Sequence, residues 1–206
     1  MNDQEKFWAG DFGNDYTARL DGNQWIESNI AFFSNALVKA RDIKTVLELG
    51  CNRGLNLAAL EYYDPSIVKT GVDVNAKALL ALSTMFDDCG LEQPFVHCST
   101  AANFNTDERY DLVFTKGLLI HIAPDQLEAV YDKMYELSSR YILIAEYYNP
   151  VPIEVPYRGF NGKLFKRDFA GEMIDKYGLK LVDYGFVYYR DKHPQDSLNW
   201  FLLEKE

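Results

Sequence analysis

The sequence predicts an α/β protein built on a mostly parallel, doubly wound sheet. Short apolar runs alternate with segments of helical periodicity along most of the 206 residues, and this alternation is typical of parallel sheets covered by helices. A glycine-containing turn follows the first apolar run, and two apolar runs around a polar loop predict an antiparallel hairpin at the C-terminal end. These three observations indicate the fold class and the sheet edge where a ligand should bind.

The first strand is predicted at residues 46–49 and is followed by a turn with Gly50 and Gly54, then by a helix over 55–62. We expect the turn's backbone N–H groups and the helix N-terminus to face a nucleotide-like ligand. Because glycine lacks a Cβ, the backbone can turn sharply and approach the ligand. Asp73 ends the next strand and is placed to hydrogen-bond a ribose diol. The alternative is a tight turn in an unrelated α/β domain, with Asp73 as a helix cap.

The other elements follow from local signals. One apolar face at helical spacing predicts a helix over 24–39. Further helices are predicted at 76–89, ended by Gly90, at 124–138, opened by Pro124, and at 169–177, ended by Gly178. The remaining strands are predicted at 70–73, 95–98, 110–114, 141–145, 181–190 and 198–204.

Two segments stand apart from this alternation. Residues 6–22 contain too many aromatic side chains for a disordered tail, so we expect them to fold over the core or a ligand. Prolines and glycines mark 146–165 as a long connection, and such loops are usually functional. We predict a single domain over 1–206, with an N-terminal cap segment and helix at 1–40 and a substrate-side loop at 146–165.

Composition excludes several classes of partner. The net charge of −10 argues against a nucleic-acid or membrane surface, which would show a basic face. No run of apolar residues is long enough to span a membrane, and from the polar N-terminus we expect no secretory signal. The three cysteines lack zinc or redox spacing, so we expect reduced thiols, no metal and a cytoplasmic protein.

Three strand motifs resemble those of class I methyltransferases that use S-adenosylmethionine: VLELGC (46–51), GVD (71–73) and YDLVF (110–114). Four longer phrases resemble the pseudaminic acid biosynthesis-associated methylases, and this similarity covers nearly the whole chain. They are FWAGDFGNDY (7–16), FTKGLLIHI (114–122), YILIAEYYNP (141–150) and LFKRDFAGEM (164–173).

This resemblance implies a Rossmann-like class I methyltransferase fold, with a seven-stranded, mostly parallel sheet, a C-terminal antiparallel hairpin and helices on both faces. It implies S-adenosylmethionine as cofactor. It also implies methyl transfer to an oxygen or nitrogen of a small molecule, a sugar or nucleotide sugar of the pseudaminic or nonulosonic acid type.

Two departures from the family pattern leave contacts open. Asn52 stands where the usual turn has glycine, so the backbone there is not assumed to approach the cofactor in the same way. Ser99 and Thr100 follow the third strand, where many relatives carry an acid beside adenine. A hydroxyl or backbone amide would have to serve there.

The cofactor site is expected along the turn and the carboxyl ends of the strands. Glu48 and Asp73 are the acids nearest the methionine and ribose ends. The candidate cofactor-binding residues are Trp8, Tyr16, Arg19, Glu48, Gly50, Cys51, Asn52, Gly54, Asp73, Ser99, Thr100, Ala101, Lys116 and Gly117. For the N-terminal residues among them, packing on the first helix is the alternative.

For the acceptor, His121 is the candidate general base, because its ordinary pKa suits proton transfer at neutral pH. A hydrogen-bonded structural histidine is the alternative. Arginine suits capture of a carboxylate or phosphate, which an acidic sugar would present; here the alternative is a solvated basic patch beside a helix cap at Asp168. The candidate substrate-binding residues are Glu146, Tyr147, Tyr148, Asn149, Tyr157, Arg158, Lys166 and Arg167.

Other functions remain open from sequence alone. A methyltransferase for an unrelated metabolite would use the same cofactor motifs, and so would a non-catalytic module that binds S-adenosylmethionine. A dinucleotide dehydrogenase would need glycine at the positions of Asn52 and Leu55, and it would not explain the closing hairpin.

Overall fold

A computed structural model describes residues 1–19 and 23–206. The first half of the chain contains α1 (Asp3–Ala9), α2 (Asp11–Arg19), α3 (Asn23–Ala36), β1 (Thr45–Leu49), α4 (Leu55–Tyr63), β2 (Val68–Asp73), α5 (Ala76–Cys89) and β3 (Phe95–Cys98). The second half contains β4 (Tyr110–Lys116), a 3₁₀ turn (Leu119–His121), α6 (Leu127–Leu137), β5 (Ser138–Glu146), β6 (Ile153–Glu154), β7 (Phe165–Lys166), α7 (Phe169–Tyr177), β8 (Lys180–Val187) and β9 (Leu198–Glu204).

Seven of these strands form one sheet in the order β3-β2-β1-β4-β5-β9-β8. The pairs from β3 to β5 are parallel, whereas β9 runs antiparallel between β5 and β8. The predicted mostly parallel sheet with a closing antiparallel hairpin is confirmed. The chain order reverses between β1 and β4, and this reversal opens a crevice at the carboxyl ends of the strands.

Two apolar layers bury the two faces of the sheet. On one face, side chains of α3, α4 and α5 pack against alternate strand residues such as Val46 and Phe114. On the other face, α6 and α7 cover the intervening residues, including Leu47 and Val113. The central strands are therefore buried on both sides, as their continuous apolar runs predict.

Helix ends follow the sequence where side-chain caps or glycine mark them. The Asn75 side chain caps α5 by accepting the N–H groups of Lys77 and Ala78, at 2.9 and 3.1 Å, and Gly90 ends that helix with φ of +64°. The predicted start of α6 at Pro124 is wrong by three residues. The Ala123 carbonyl accepts the Gln126 N–H in a turn instead.

The aromatic N-terminal segment forms a roof, defined here as α1 and α2. The two helices meet closely at Gly13, where an added Cβ would lie 1.8 Å from the Trp8 carbonyl oxygen. Phe7 stacks on Phe12 with ring centroids 4.1 Å apart. The predicted segment extends over residues 20–22, which lie outside the described residues.

The connection after β5 is more regular than a loop. Its short strands β6 and β7 pair in an antiparallel ladder, and Tyr157 and Phe160 close a tight turn through two backbone hydrogen bonds. Over residues 1–19 and 23–206, no helix is both long and apolar enough to cross a membrane.

Asn75 joins the roof to the sheet as well as capping α5, because its Nδ2 donates to the Trp8 carbonyl at 3.0 Å and to Asn14 Oδ1 at 3.1 Å.

We predict that Asn75→Asp keeps the cap but releases the roof, since a second carboxylate oxygen replaces the donor. Hydrogen exchange should accelerate over residues 3–19 and stay slow in α5. The control Asn75→Ala removes both the cap and the contacts to the roof. It should therefore release the roof and, in addition, lose about 1 kcal/mol of unfolding free energy through loss of the cap. Unchanged exchange in the roof of the Asp variant would contradict this prediction.

Candidate cofactor and acceptor site

A cavity of about 560 Å³ lies over the carboxyl ends of β1, β2, β4 and β5. Its size is within the usual range of ligand pockets, about 300–1,000 Å³. The roof, α3, the turn after Tyr157 and the β8–β9 connection complete its walls. The cavity therefore occupies the crevice that the reversal between β1 and β4 opens.

The turn after β1 takes three left-handed residues. Gly50, Asn52 and Gly54 have φ of +80°, +46° and +77°. A Cβ at Gly50 would lie 2.8 Å from Leu118 Cδ1, so a larger residue would crowd that side chain in addition to straining the backbone. Asparagine is enriched among the non-glycine residues that adopt this region. Asn52 therefore adopts the left-handed conformation that glycine, the usual residue at this position, adopts easily.

The backbone N–H groups of this turn are already bonded within the protein, contrary to our expectation. Those of Gly50 and Cys51 both donate to the Val72 carbonyl, at 2.8 and 3.0 Å, and that of Asn52 donates to Asp73 Oδ2 at 2.7 Å. The prediction that they face a ligand is therefore wrong for these three groups. The N-terminus of α4 has no side-chain cap, and Leu55 at its start lines the cavity.

Asp73 lines the cavity at the end of β2. Its Oδ1 accepts the Asn75 N–H at 2.8 Å, and Oδ2 accepts from Asn52. Burial raises the pKa of this carboxyl, and the backbone hydrogen bonds oppose the rise. Each oxygen keeps a second lone pair, which is the acceptor a ribose hydroxyl needs.

Glu48 lies behind the cavity wall and is fully buried. Its Oε1 accepts from Asn56 Nδ2 at 2.6 Å, and Oε2 has no partner among the described residues. Burial raises the pKa of Glu48 to about 8, against the opposing effects of Asn56 and Lys116. Burial also lowers the pKa of Lys116 to about 8. Asn56, which lines the cavity, stands between Glu48 and any ligand.

The other predicted cofactor residues, with the exception of Gly54, also reach the cavity. Trp8, Tyr16 and Arg19 line it from the roof, and Ser99, Thr100 and Ala101 from the end of β3. Lys116 and Gly117 line it past β4, and Cys51 lines it from the turn. Gly54 packs away from it, because an added Cβ would lie 2.5 Å from Leu82 Cγ.

His121 is held by neighbours on several sides. Its Nδ1 lies 2.7 Å from the Lys163 carbonyl oxygen, and its ring centroid lies 4.5 Å from that of Trp8 and 5.0 Å from that of Tyr157. Burial lowers the pKa of His121 to about 4, although the hydrogen bond to Lys163 opposes this. At neutral pH the ring is therefore uncharged and weakly basic.

Glu146 supports the 3₁₀ turn after β4. Its carboxylate accepts the backbone N–H groups of Leu118 and Leu119 at 3.0 Å each, and that of Ile120 at 3.3 Å. Burial raises its pKa to about 7 in spite of these bonds. Its polar capacity is thus largely used in shaping the cavity wall that it also lines.

The predicted acceptor residues divide into two groups. Glu146, Tyr147, Tyr157 and Arg158 line the cavity. The other four are engaged elsewhere: Tyr148 bridges Arg167, Asn149 Nδ2 donates to the Val151 carbonyl, Lys166 lies over the Tyr147 ring, and Arg167 pairs with Glu172 at 2.6 Å. The structure therefore does not bring Arg158, Lys166 and Arg167 together as one cationic cluster at the cavity.

Sequence reasoning missed three polar residues in the part of the cavity wall formed by α3 and the β8–β9 connection. Asn29 from α3 and Gln195 with Asp196 from the β8–β9 connection all line the cavity. Tyr147 Oη donates to Asp196 Oδ2 at 2.9 Å. Asn29 follows Trp25 at helical spacing, which places both on one face, but no local signal links this face to a loop so distant in sequence.

Solved structures share this fold along most of the chain. Magnesium protoporphyrin IX methyltransferase from Synechocystis PCC 6803, with bound SAM, is 14% identical with a TM-score of 0.71, over 100% of this chain and 99% of that chain. A 1,6-didemethyltoxoflavin-N1-methyltransferase from Burkholderia thailandensis is 13% identical with a TM-score of 0.71, over 98% and 86%. N-methyltransferase NodS from Bradyrhizobium japonicum WM9 is 14% identical with a TM-score of 0.67, over 90% and 99%. At such identities the likeness shows the fold, and no curated protein sequence matches the chain.

Residues 46–139 match the family model described as a methyltransferase domain. This match, together with the shared fold, indicates an S-adenosylmethionine-dependent methyltransferase. The predictions of a methyltransferase and of S-adenosylmethionine as cofactor are confirmed. The matched region of the methyltransferase contains β1 to β4 and the glycine turn, whereas α3, the β5–α7 connection and the closing hairpin lie outside it.

Glu48 makes the stability of the methyltransferase depend on pH. Its pKa is raised from 4.5 to about 8 in the folded state, so its contribution to folding becomes less favourable as pH rises between these values. We predict that Glu48→Gln, which keeps an acceptor for Asn56, gains melting temperature relative to the wild type as pH rises from about 5 to about 8. Scanning calorimetry across that interval measures the difference, and a difference independent of pH would contradict the prediction.

Proposed function

We propose that this methyltransferase acts on an oxygen or nitrogen of a small anionic acceptor, of the sugar or nucleotide-sugar type found among nonulosonic acids. The support comes from the two halves of the cavity. The carboxyl ends of β1, β2 and β3 form a cofactor half. The carboxyl ends of β4 and β5, the start of the antiparallel β9, α3 and the Tyr157 turn form an acceptor half. A ligand that extends across the crevice between β1 and β4 would contact both halves of the cavity.

The residues of the cofactor half fit S-adenosylmethionine. Asn56 Oδ1 is buried without a partner among the described residues beside the uncapped N-terminus of α4, so this end combines an acceptor for an ammonium with a helix dipole for a carboxylate. Asp73 would hold the ribose hydroxyls. When bound, S-adenosylmethionine supplies the activated methyl group. The task of the chain is then to align the acceptor atom with it and to exclude water.

Arg158 carries the proposal of an anionic acceptor. It occupies a two-residue turn with φ of +50°, followed by Gly159 with φ of +86°, and two hydrogen bonds between Tyr157 and Phe160 close the turn. Such a turn favours asparagine before glycine. An arginine there is unfavourable for the backbone, yet it lines the cavity and has no ion pair among residues 1–19 and 23–206. We infer that its guanidinium is retained for an acceptor carboxylate or phosphate.

The relatives are consistent with a small acceptor. One is named for magnesium protoporphyrin IX, and another was crystallised with 1,6-didemethyltoxoflavin and S-adenosylhomocysteine. The sugar acid type rests on the resemblance to the pseudaminic acid-associated methylases. A methyltransferase for an unrelated metabolite is the competing proposal, and the acceptor panel below distinguishes the two.

Arg158→Asn removes the guanidinium while suiting the turn. We predict that the variant folds at least as stably as the wild type and binds S-adenosylhomocysteine equally well by calorimetry. Its KM for an anionic acceptor should rise about tenfold or more, the loss of one charged hydrogen-bonded contact. Acceptors come from a panel of free and CMP-linked sugar acids incubated with labelled S-adenosylmethionine, beside neutral sugars and unrelated metabolites.

The matched control is Arg190→Asn, which removes an exposed arginine outside the cavity and should leave the KM unchanged. An unchanged KM in the Arg158 variant would remove the anion contact. Turnover of neutral or unrelated compounds alone would favour the competing acceptor.

We propose that His121 positions the roof and the Tyr157 turn rather than acting as the general base. Its pKa near 4 and its packing between Trp8 and Tyr157 support this role. His121→Gln should lower kcat/KM, yet the pH profile of the variant should parallel that of the wild type from about pH 5.5 to about pH 8. If the variant loses a pH-dependent step that the wild type shows, the general-base role is restored.

A further inference from the structure

Two hydrogen-bond acceptors in the acceptor half lack donors. Asn29 Oδ1 and Gln195 Oε1 have no partner among the described residues, and the two residues are only 4% and 6% exposed. Both residues line the cavity. Because an unsatisfied buried acceptor is costly, such groups in a cavity wall indicate a ligand that supplies N–H or O–H donors.

The two amides are held next to each other. Gln195 Nε2 donates to the Ser28 carbonyl at 2.6 Å, and Ser28 directly precedes Asn29 in α3. This bond ties the β8–β9 connection to the helix and uses a donor of Gln195, while its side-chain oxygen stays buried without a donor. The acceptor pair is therefore built by two elements that meet here, and both residues are buried.

Asp196 extends the same acceptor-rich wall. One of its oxygens receives the Tyr147 hydroxyl, which leaves the other for a ligand. Asp196 also lies close enough to Lys116 to oppose the lowering of the lysine pKa by burial. The wall thus lies near the carboxyl end of β4, on the β5–β9 side of the reversal and away from the glycine turn.

We infer that Asn29, Gln195 and Asp196 bind the hydrogen-bond-donating end of the methyl acceptor, an amino group or vicinal hydroxyls, while Arg158 holds its anionic end. The inference rests on the proposed function, since it assigns the residues that bind the other end of the same acceptor. It restricts the acceptor class to small molecules that carry both a carboxylate or phosphate and at least two N–H or O–H donors. Arg158 alone would accept any anion of suitable size.

A matched pair of probes distinguishes binding of the anionic end of the acceptor from binding of its hydrogen-bond-donating end. Quinate and cyclohexanecarboxylate share a six-membered ring and a carboxylate, but only quinate carries ring hydroxyls. Binding of each is measured by NMR titration of the full chain saturated with S-adenosylhomocysteine. We expect the wild type to prefer quinate, and Asn29→Leu to lose about tenfold in quinate affinity, the loss of one hydrogen bond, with no loss for cyclohexanecarboxylate.

Two further variants keep the test independent of folding. Asn35→Leu makes the same substitution on an exposed position of α3 and should change neither affinity. Asn29→Asp restores an oxygen acceptor and should recover quinate binding. Equal quinate binding by the wild type and Asn29→Leu, or no preference of the wild type for quinate, overturns the inference and assigns the two amides to bound water.

The proposed function fails in a different way. Arg158→Asn should weaken both probes, because both carry the carboxylate. If it weakens neither while Asn29→Leu still weakens quinate, the anion contact is wrong and the donor-binding wall stands. If Arg158→Asn weakens both and Asn29→Leu changes nothing, only the inference drawn here is lost.

Discussion

The reversal of chain order between β1 and β4 determines where everything else in this molecule lies. From β1 the chain moves outward through β2 and β3, and it then returns to place β4 and β5 on the other side of β1. The connections after β1 and β4 therefore leave in opposite directions, and no backbone closes the space between them. Asp73, Lys116 and Glu146 are near this opening because β2, β4 and β5 end there.

Buried charge at this edge is organised mainly to shape loops. Asp73 and Glu146 together accept five backbone N–H groups, and Glu48 accepts from Asn56. Removing a carboxylate from water is unfavourable, and these hydrogen bonds offset part of that cost. Because the loops are held from behind in this way, the surfaces they offer to a ligand are set before it binds. The acids predicted as ligand contacts thus act largely by fixing their neighbours.

Sequence alone predicts the parts of the structure that depend on local chemistry. The bounds of α5 and α7 follow from a capping side chain and a left-handed glycine, and the central strands β1, β4 and β5 follow from apolar runs buried on both faces. The start of α6 was misplaced because proline is accepted equally in a turn and in a first helical turn.

The candidate site depends on contacts that no local pattern encodes. Gln195 bonds to Ser28 across 167 positions of sequence, and Arg167 is held away from the cavity by its pair with Glu172. The occupied N–H groups of the glycine turn were missed for a related reason. A turn motif indicates conformation, whereas the partner of each N–H, here the carbonyl of Val72, comes from a neighbouring strand.

The roof links the two halves of the cavity. On the cofactor side, Asn75 holds the Trp8 carbonyl and Asn14. On the acceptor side, the Trp8 ring contacts His121 and Tyr157, and Phe7 meets Phe160. The same short helices therefore contact elements from both halves, with aromatic edges rather than a deep apolar core as their support. A ligand bound beneath them in either half would stabilise the roof by mass action. Since the ordered roof also completes the other half, binding of the cofactor and binding of the acceptor are expected to favour each other.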